Sequence, residues 1–127
     1  MSPRPALSKA ETEVVRLVWE ARSATVREIY DQFCQDNQVD LSTVQTYLRR
    51  LEQKGYLKST RDGRNLVYSP RVQRRTVVRE TVNDLVQRLF GGDKLPLMLH
   101  LIEDGEASRE QIEKLRDALD RLENENE

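Results

Sequence analysis

One cysteine and one histidine are all that this 127-residue chain has of the two side chains most often recruited for metal binding and nucleophilic chemistry. Cys34 alone cannot close an intrachain disulfide, and it has no partners at metal-site spacing. It is expected to pack in a helix, with redox sensing as a lesser alternative. His100 lies far from it along the chain. There is no glycine-rich nucleotide loop, no ligand cluster and no nucleophile elbow. Asp and Glu are plentiful, but they fall on helix positions expected to face solvent. The chain therefore reads as a non-enzyme that needs neither metal nor cofactor. Its N-terminus has no signal-peptide pattern. Its most apolar run, residues 95–102, is far shorter than the ~20 residues of a membrane span. A cytoplasmic protein with no membrane insertion is expected.

Net charge is also scarce, at -1, but it is unevenly spread. Residues 41–79 hold ten basic and two acidic side chains, a local excess of +8. Residues 80–127 carry -7 and residues 1–40 carry -2. A basic block inside a nearly neutral chain points to a nucleic-acid surface confined to one region.

Within that block, residues 40–70 read DLSTVQTYLRRLEQKGYLKSTRDGRNLVYSP. Val44, Tyr47, Leu48 and Leu51 share one helical face, which predicts a buried stripe. Ser42, Thr43, Gln45, Thr46, Arg49 and Arg50 remain on the outside. Short, polar and basic side chains suit a helix lying in a DNA major groove. Gly55 stops the helix, and Asp62-Gly63 signals a hairpin turn. Lys58, Arg61 and Arg64 surround that turn as candidate phosphate contacts. A recognition helix followed by a basic hairpin is the pattern of a winged helix-turn-helix.

The flanking segments complete a mainly α fold with a small β-hairpin wing. Residues 1–7, with Pro3 and Pro5, suggest a loose arm. Ser8 with Glu11, Thr25 with Glu28, and Ser108 with Gln111 have capping-box spacing, predicting three helix starts. Asp40 is the expected cap of the recognition helix. A long helix is predicted over residues 72–90, with Val78, Val82, Leu85, Val86 and Leu89 on its apolar side. Gly91-Gly92 ends it. A short apolar helix follows over 94–103, and a last helix carries Ile112, Leu115, Leu119 and Leu122 before a tail expected to fray. These patterns divide the chain into a DNA-binding domain, residues 6–71, and a helical dimerisation region, residues 72–127. Short helices with apolar faces need partners. Leu85, Leu89, Leu97, Leu101, Leu115, Leu119 and Leu122 are the expected dimer contacts.

Leu7-Ser8-Lys9-Ala10-Glu11, Val18-Trp19-Glu20, the block from Ser42 to Leu51 and the Lys54-Gly55-Tyr56-Leu57 that follows resemble the penicillinase and methicillin-resistance repressor family (BlaI/MecI/CopY type). Gly91-Gly92 and residues 108–122 match as well. The resemblance implies a homodimeric transcriptional repressor that binds double-stranded palindromic operator DNA through its winged helix. It also implies a regulatory protease, with a scissile bond at His100-Leu101, where beta-lactam-responsive members typically have Asn-Phe. Copper-responsive relatives end in a cysteine-rich motif, which this chain lacks. Gln45 and Ser42 stand where some members carry Arg and Lys. Two other readings remain beside it: a winged helix that binds protein, and a regulator that senses a small molecule between its dimer helices.

Overall fold

The computed structural model describes residues 4–126. Among the described residues, six helices and three short strands follow in the order α1 (Lys9–Ala21), β1 (Ala24–Thr25), α2 (Val26–Phe33), α3 (Leu41–Gln53), β2 (Leu57–Asp62), β3 (Asn65–Pro70), α4 (Arg74–Phe90), α5 (Leu95–Asp104) and α6 (Arg109–Glu125). They form two compact units, residues 1–81 and 82–127.

In the first unit, local chemistry fixes the helix ends. Ser8 and Glu11 make both hydrogen bonds of a capping box at the start of α1, and Thr25 and Glu28 repeat it for α2. Asp40 is the N-cap of α3, but its side chain makes no capping bond. The opposite end of α3 closes through the backbone. Gly55 N–H donates to the Glu52 carbonyl and Tyr56 N–H to that of Leu51, with Gly55 at φ +90°. This is a Schellman motif, whose left-handed position suits glycine.

The core lies where α1, α2 and α3 pack on a three-stranded antiparallel sheet. Val14, Val15, Val18, Ile29, Phe33, Val44, Leu48, Leu51, Leu57 and Tyr68 are buried there. Tyr47 is only half-buried, its ring edge-on to Phe33 at 6.0 Å. Its apolar body packs while its polar tip stays near water, so the expected fully buried stripe has one amphipathic member. Strand order is β1-β3-β2. The hairpin of β2 and β3 pairs Leu57 with Pro70 and Asp62 with Asn65, leaving Gly63 and Arg64 as a two-residue loop. Gly63 has φ +63°, as the first position of such a tight hairpin loop favours. The strand β1, which pairs Ala24 with Tyr68, has no counterpart among the sequence expectations. Two residues are too few to show alternation.

Two boundaries differ from expectation. Arg4 to Leu7 is not a loose arm. Arg4 bonds Glu80 at 2.8 Å, the carbonyls of Pro5 and Ala6 accept bonds from Tyr56 and Lys54, and Leu7 packs on the core. Pro3 lies outside the described residues. The first unit also reaches Thr81 rather than Arg71, because Val72 and Val77 pack on its core and the Trp19 indole donates to the Val72 carbonyl at 3.0 Å.

The second unit contains the C-terminal part of α4, with α5 and α6. Val86 is buried, but α5 and α6 have no buried residue. The Ser108–Gln111 capping box is formed, and α6 continues to Glu125 instead of fraying at its acidic tail. The Asn126 N–H closes its end on the Leu122 and Glu123 carbonyls.

Glu11 departs from the expectation that acidic side chains face solvent: it is 3% exposed. Burial pushes its carboxyl up, but hydrogen bonds from Lys54 and Ser8 outweigh this and hold it below the ordinary glutamate range. Glu28 is lowered too, by its bonds with Thr25. A carboxyl lowered in the folded state adds stability that is complete above the unfolded value and lost as pH falls through the folded one. Thermal midpoints of the unaltered chain and Glu11→Gln should therefore differ at neutral pH and converge on acidification. Curves that stay parallel through the carboxylate range would refute this role.

Candidate nucleic-acid interface

The candidate surface begins with what the core leaves uncovered on α3. Val44, Leu48 and Leu51 are fully buried. At 3.6 residues per turn, the side opposite them carries Ser42, Thr46, Arg49 and Gln53, spaced i, i+4, i+7 and i+11. Arg50 is also exposed, beside this stripe. Thr43, Gln45 and Thr46 are all half-buried; Thr46 lies within the stripe, and Thr43 and Gln45 flank it on opposite edges. The structure therefore does not place all six expected helix residues on one line. Gln53 was missed, although continuing the same spacing one turn beyond Arg49 would have found it.

Thr46 Oγ1 donates to the Ser42 carbonyl at 3.0 Å. Its hydroxyl proton is used within the helix, leaving its methyl group and oxygen lone pairs for any partner. Ser42, Arg49 and Gln53 supply the remaining polar reach. This set can pair with base edges and phosphates, and it has no arrangement suited to acid–base or nucleophilic chemistry.

On the hairpin, strand alternation separates the expected basic residues. Lys58 lies opposite Ser69, and Arg61 opposite Leu66. Successive side chains point to opposite faces, so Lys58 and Arg61 occupy different faces of the wing. Arg64 sits in the loop itself. The strand pattern was visible in the sequence, so the parity of 58 and 61 could have been read there. No ion pair among the described residues involves Arg49, Arg50, Lys58, Arg61 or Arg64.

Two other members of the basic block are engaged. Lys54 Nζ lies 2.8 Å from Glu11 Oε1 and 2.9 Å from the Ala6 carbonyl. Arg74 lies over the Trp19 ring at 5.7 Å and pairs with Glu20 at 3.7 Å. The basic excess available to a partner is thus smaller than the sequence count, and beyond α3 and the wing it includes the exposed Arg71, Arg75 and Arg79. Tyr68 lies beneath this region, and burial pushes its phenol up from the ordinary value.

In the second unit, Leu85, Leu89, Leu101, Leu115, Leu119 and Leu122 are exposed in the single chain, Leu89 by 71% and Leu101 by 62%. Leu97 is half-buried. Apolar side chains also line a shallow groove between α5 and α6, formed by Leu101, Ile102, Ala107 and Leu115. His100 Nδ1 lies 2.9 Å from Asp104 Oδ2 one turn along α5. Cys34, expected within a helix, is the half-buried C-cap of α2, its Sγ 3.6 Å from the Asp31 carbonyl. Among the described residues, no group of three or more His, Cys, Asp or Glu could hold a metal ion, and no helix is long and apolar enough to cross a membrane.

The family model described as Penicillinase repressor matches residues 7–121. The chain is 27% identical to a penicillinase repressor of Bacillus licheniformis over 124 residues, covering 98% of this chain and 97% of that protein. Among solved structures it is similar to the DNA-binding domain of the repressor BlaI, at 32% identity and a TM-score of 0.53. It is also similar to monomeric Bacillus licheniformis BlaI in complex with the blaP half-operator, at 32% identity and a TM-score of 0.51. Both similarities cover 58% of this chain and 90% of the solved one.

Proposed function

From the premise that the chain belongs to the penicillinase repressor family, whose members are DNA-binding repressors of winged-helix fold, we propose that it acts as a homodimeric transcriptional repressor on palindromic operators. One observation carries the reading. The outward stripe Ser42, Thr46, Arg49 and Gln53 stands on a helix whose other side is locked into the core, and a wing bearing unpaired arginines follows it. The solved complex of a relative with a half-operator supports DNA as the partner.

In this reading the α3 stripe enters the major groove. Gln53 or Gln45 can pair with adenine, arginine with guanine, and the Thr46 methyl can touch a thymine methyl. Arg50 and the wing residues Lys58, Arg61 and Arg64 take phosphates, which set register without reading sequence. Two half-sites are engaged by two chains joined through the exposed leucines of the second unit. Joining them raises the effective concentration for the second half-site. A patch of exposed apolar residues on this scale marks an interaction surface.

The phosphate role predicts that Arg61→Ala/Arg64→Ala weakens binding to all sequences alike. It should also lower the salt slope of log affinity by about 0.9 for each phosphate no longer neutralised. An unchanged slope would remove the wing from the interface. For the dimer, Leu115→Asp/Leu119→Asp should yield monomers in sedimentation, since burying each leucine contributes roughly 1.5–3 kcal/mol. A chain that is already monomeric at micromolar concentration, yet binds a full operator tightly, would contradict it.

On the family resemblance alone, we extend this proposal to induction by cleavage at His100-Leu101, which would detach α6 from the DNA-binding unit and weaken engagement of both half-sites. The bond lies inside α5, so a protease requires local opening of that helix first. Mass spectrometry of the protein from antibiotic-treated cells should find the two fragments. Finding only full-length chain while the target genes are induced would eliminate this switch.

A further inference from the structure

The end of α3 is held more firmly than a solvent-facing helix terminus needs. Lys54, its C-cap, has a side chain only 26% exposed. Two of its three N–H donors go to Glu11 Oε1 and the Ala6 carbonyl. Glu11 Oε1 also accepts the Ser8 N–H at 2.9 Å, so one oxygen joins the N-terminal cap of α1 to the C-terminal cap of α3. The other oxygen, Oε2, is buried with no hydrogen-bond partner. Two residues on, the Tyr56 hydroxyl donates to the Pro5 carbonyl at 2.9 Å. Residues 5–11 therefore grip the corner that follows the recognition helix.

We propose that Lys54 is a positioning residue for operator binding: through Glu11 and Ala6 it fixes the tilt of α3, and it contacts no phosphate itself. The inference rests on the operator-binding reading and deepens it. The lever is geometric. From Lys54 back to Ser42 the helix spans roughly 18 Å. A pivot of about 5° at the corner thus displaces the far end by about 1.5 Å, a shift that hydrogen bonds within a 2.7–3.2 Å range cannot follow. The charge is also committed. The Glu11 carboxylate neutralises the ammonium at 2.8 Å, and drawing Lys54 out to a phosphate would leave Glu11 buried without its counter-ion, a costly state.

The test uses the full chain, the operator it selects from random duplexes, and an unrelated duplex. Lys54→Met should lose tenfold or more in operator affinity while binding the unrelated duplex as before, with the salt slope unchanged on both. Lys54→Arg, which keeps the charge and donors, should recover most of the specificity. If Lys54→Met does not fold, Glu11→Met/Lys54→Met removes both charges together, and it should fold and show the same selective loss. A fall of about 0.9 in salt slope, with equal losses on both duplexes, would make Lys54 a phosphate contact and overturn the proposal. Unchanged operator affinity in a folded variant would overturn it as well. If the unaltered chain selects no duplex, the operator reading itself fails, and that result is distinct from either of these.

Discussion

Burial of Val44, Leu48 and Leu51 is the constraint on which the rest depends. An α-helix cannot turn one side chain without turning all of them. Seating these three in the core dictates that Ser42, Thr46, Arg49 and Gln53 face outward. The same seating holds α3 against α1 and α2 and brings its C-terminal corner beneath residues 5–11. A polar helix surface would otherwise have no fixed orientation, and a surface without orientation cannot discriminate between sequences. The apolar core thus decides which side chains of α3 face outward, and the contacts at its C-terminal corner hold that face at a fixed tilt.

Local interactions were the legible part of the fold. All three capping boxes form where Ser8, Thr25 and Ser108 precede an acceptor by three residues. Gly55 and Gly63 stand where a helix end and a tight turn require φ > 0. These signals span a few residues, so the chain carries them whatever its tertiary partners. What escaped depends on distant partners. Glu11 could be seen as a cap, but not as the counter-ion of Lys54, 43 positions away. The strand at Ala24–Thr25 exists only because β3 offers an edge. The Arg4–Glu80 pair makes an ordered segment of what composition suggests is an arm. At the candidate interface, the residue types and the helix were legible. The distinction between the outward line and its flanks, and between free and engaged basic residues, required the packed structure.

The two units are built on different balances. In the first, apolar side chains are enclosed and the exposed face is polar and basic. In the second, capping and i,i+4 pairs such as Lys114 with Glu110 support the helices, while leucines on α5 and α6 stay open to solvent. Such weakly supported helices need a further surface to cover them. That division suits the dimeric repressor proposed above, since its joining element could be weakened without disturbing the proposed DNA-binding surface.

In the function proposed above, the face of α3 left free by the core meets DNA together with the wing tip. Amide chemical shifts followed by NMR while a selected operator duplex is added to the full chain test it most directly. The largest changes are expected at Ser42, Thr46, Arg49 and Gln53 and at Gly63 and Arg64, with α2 little affected. Changes confined to α5 and α6, with α3 silent, would show that this face does not meet DNA.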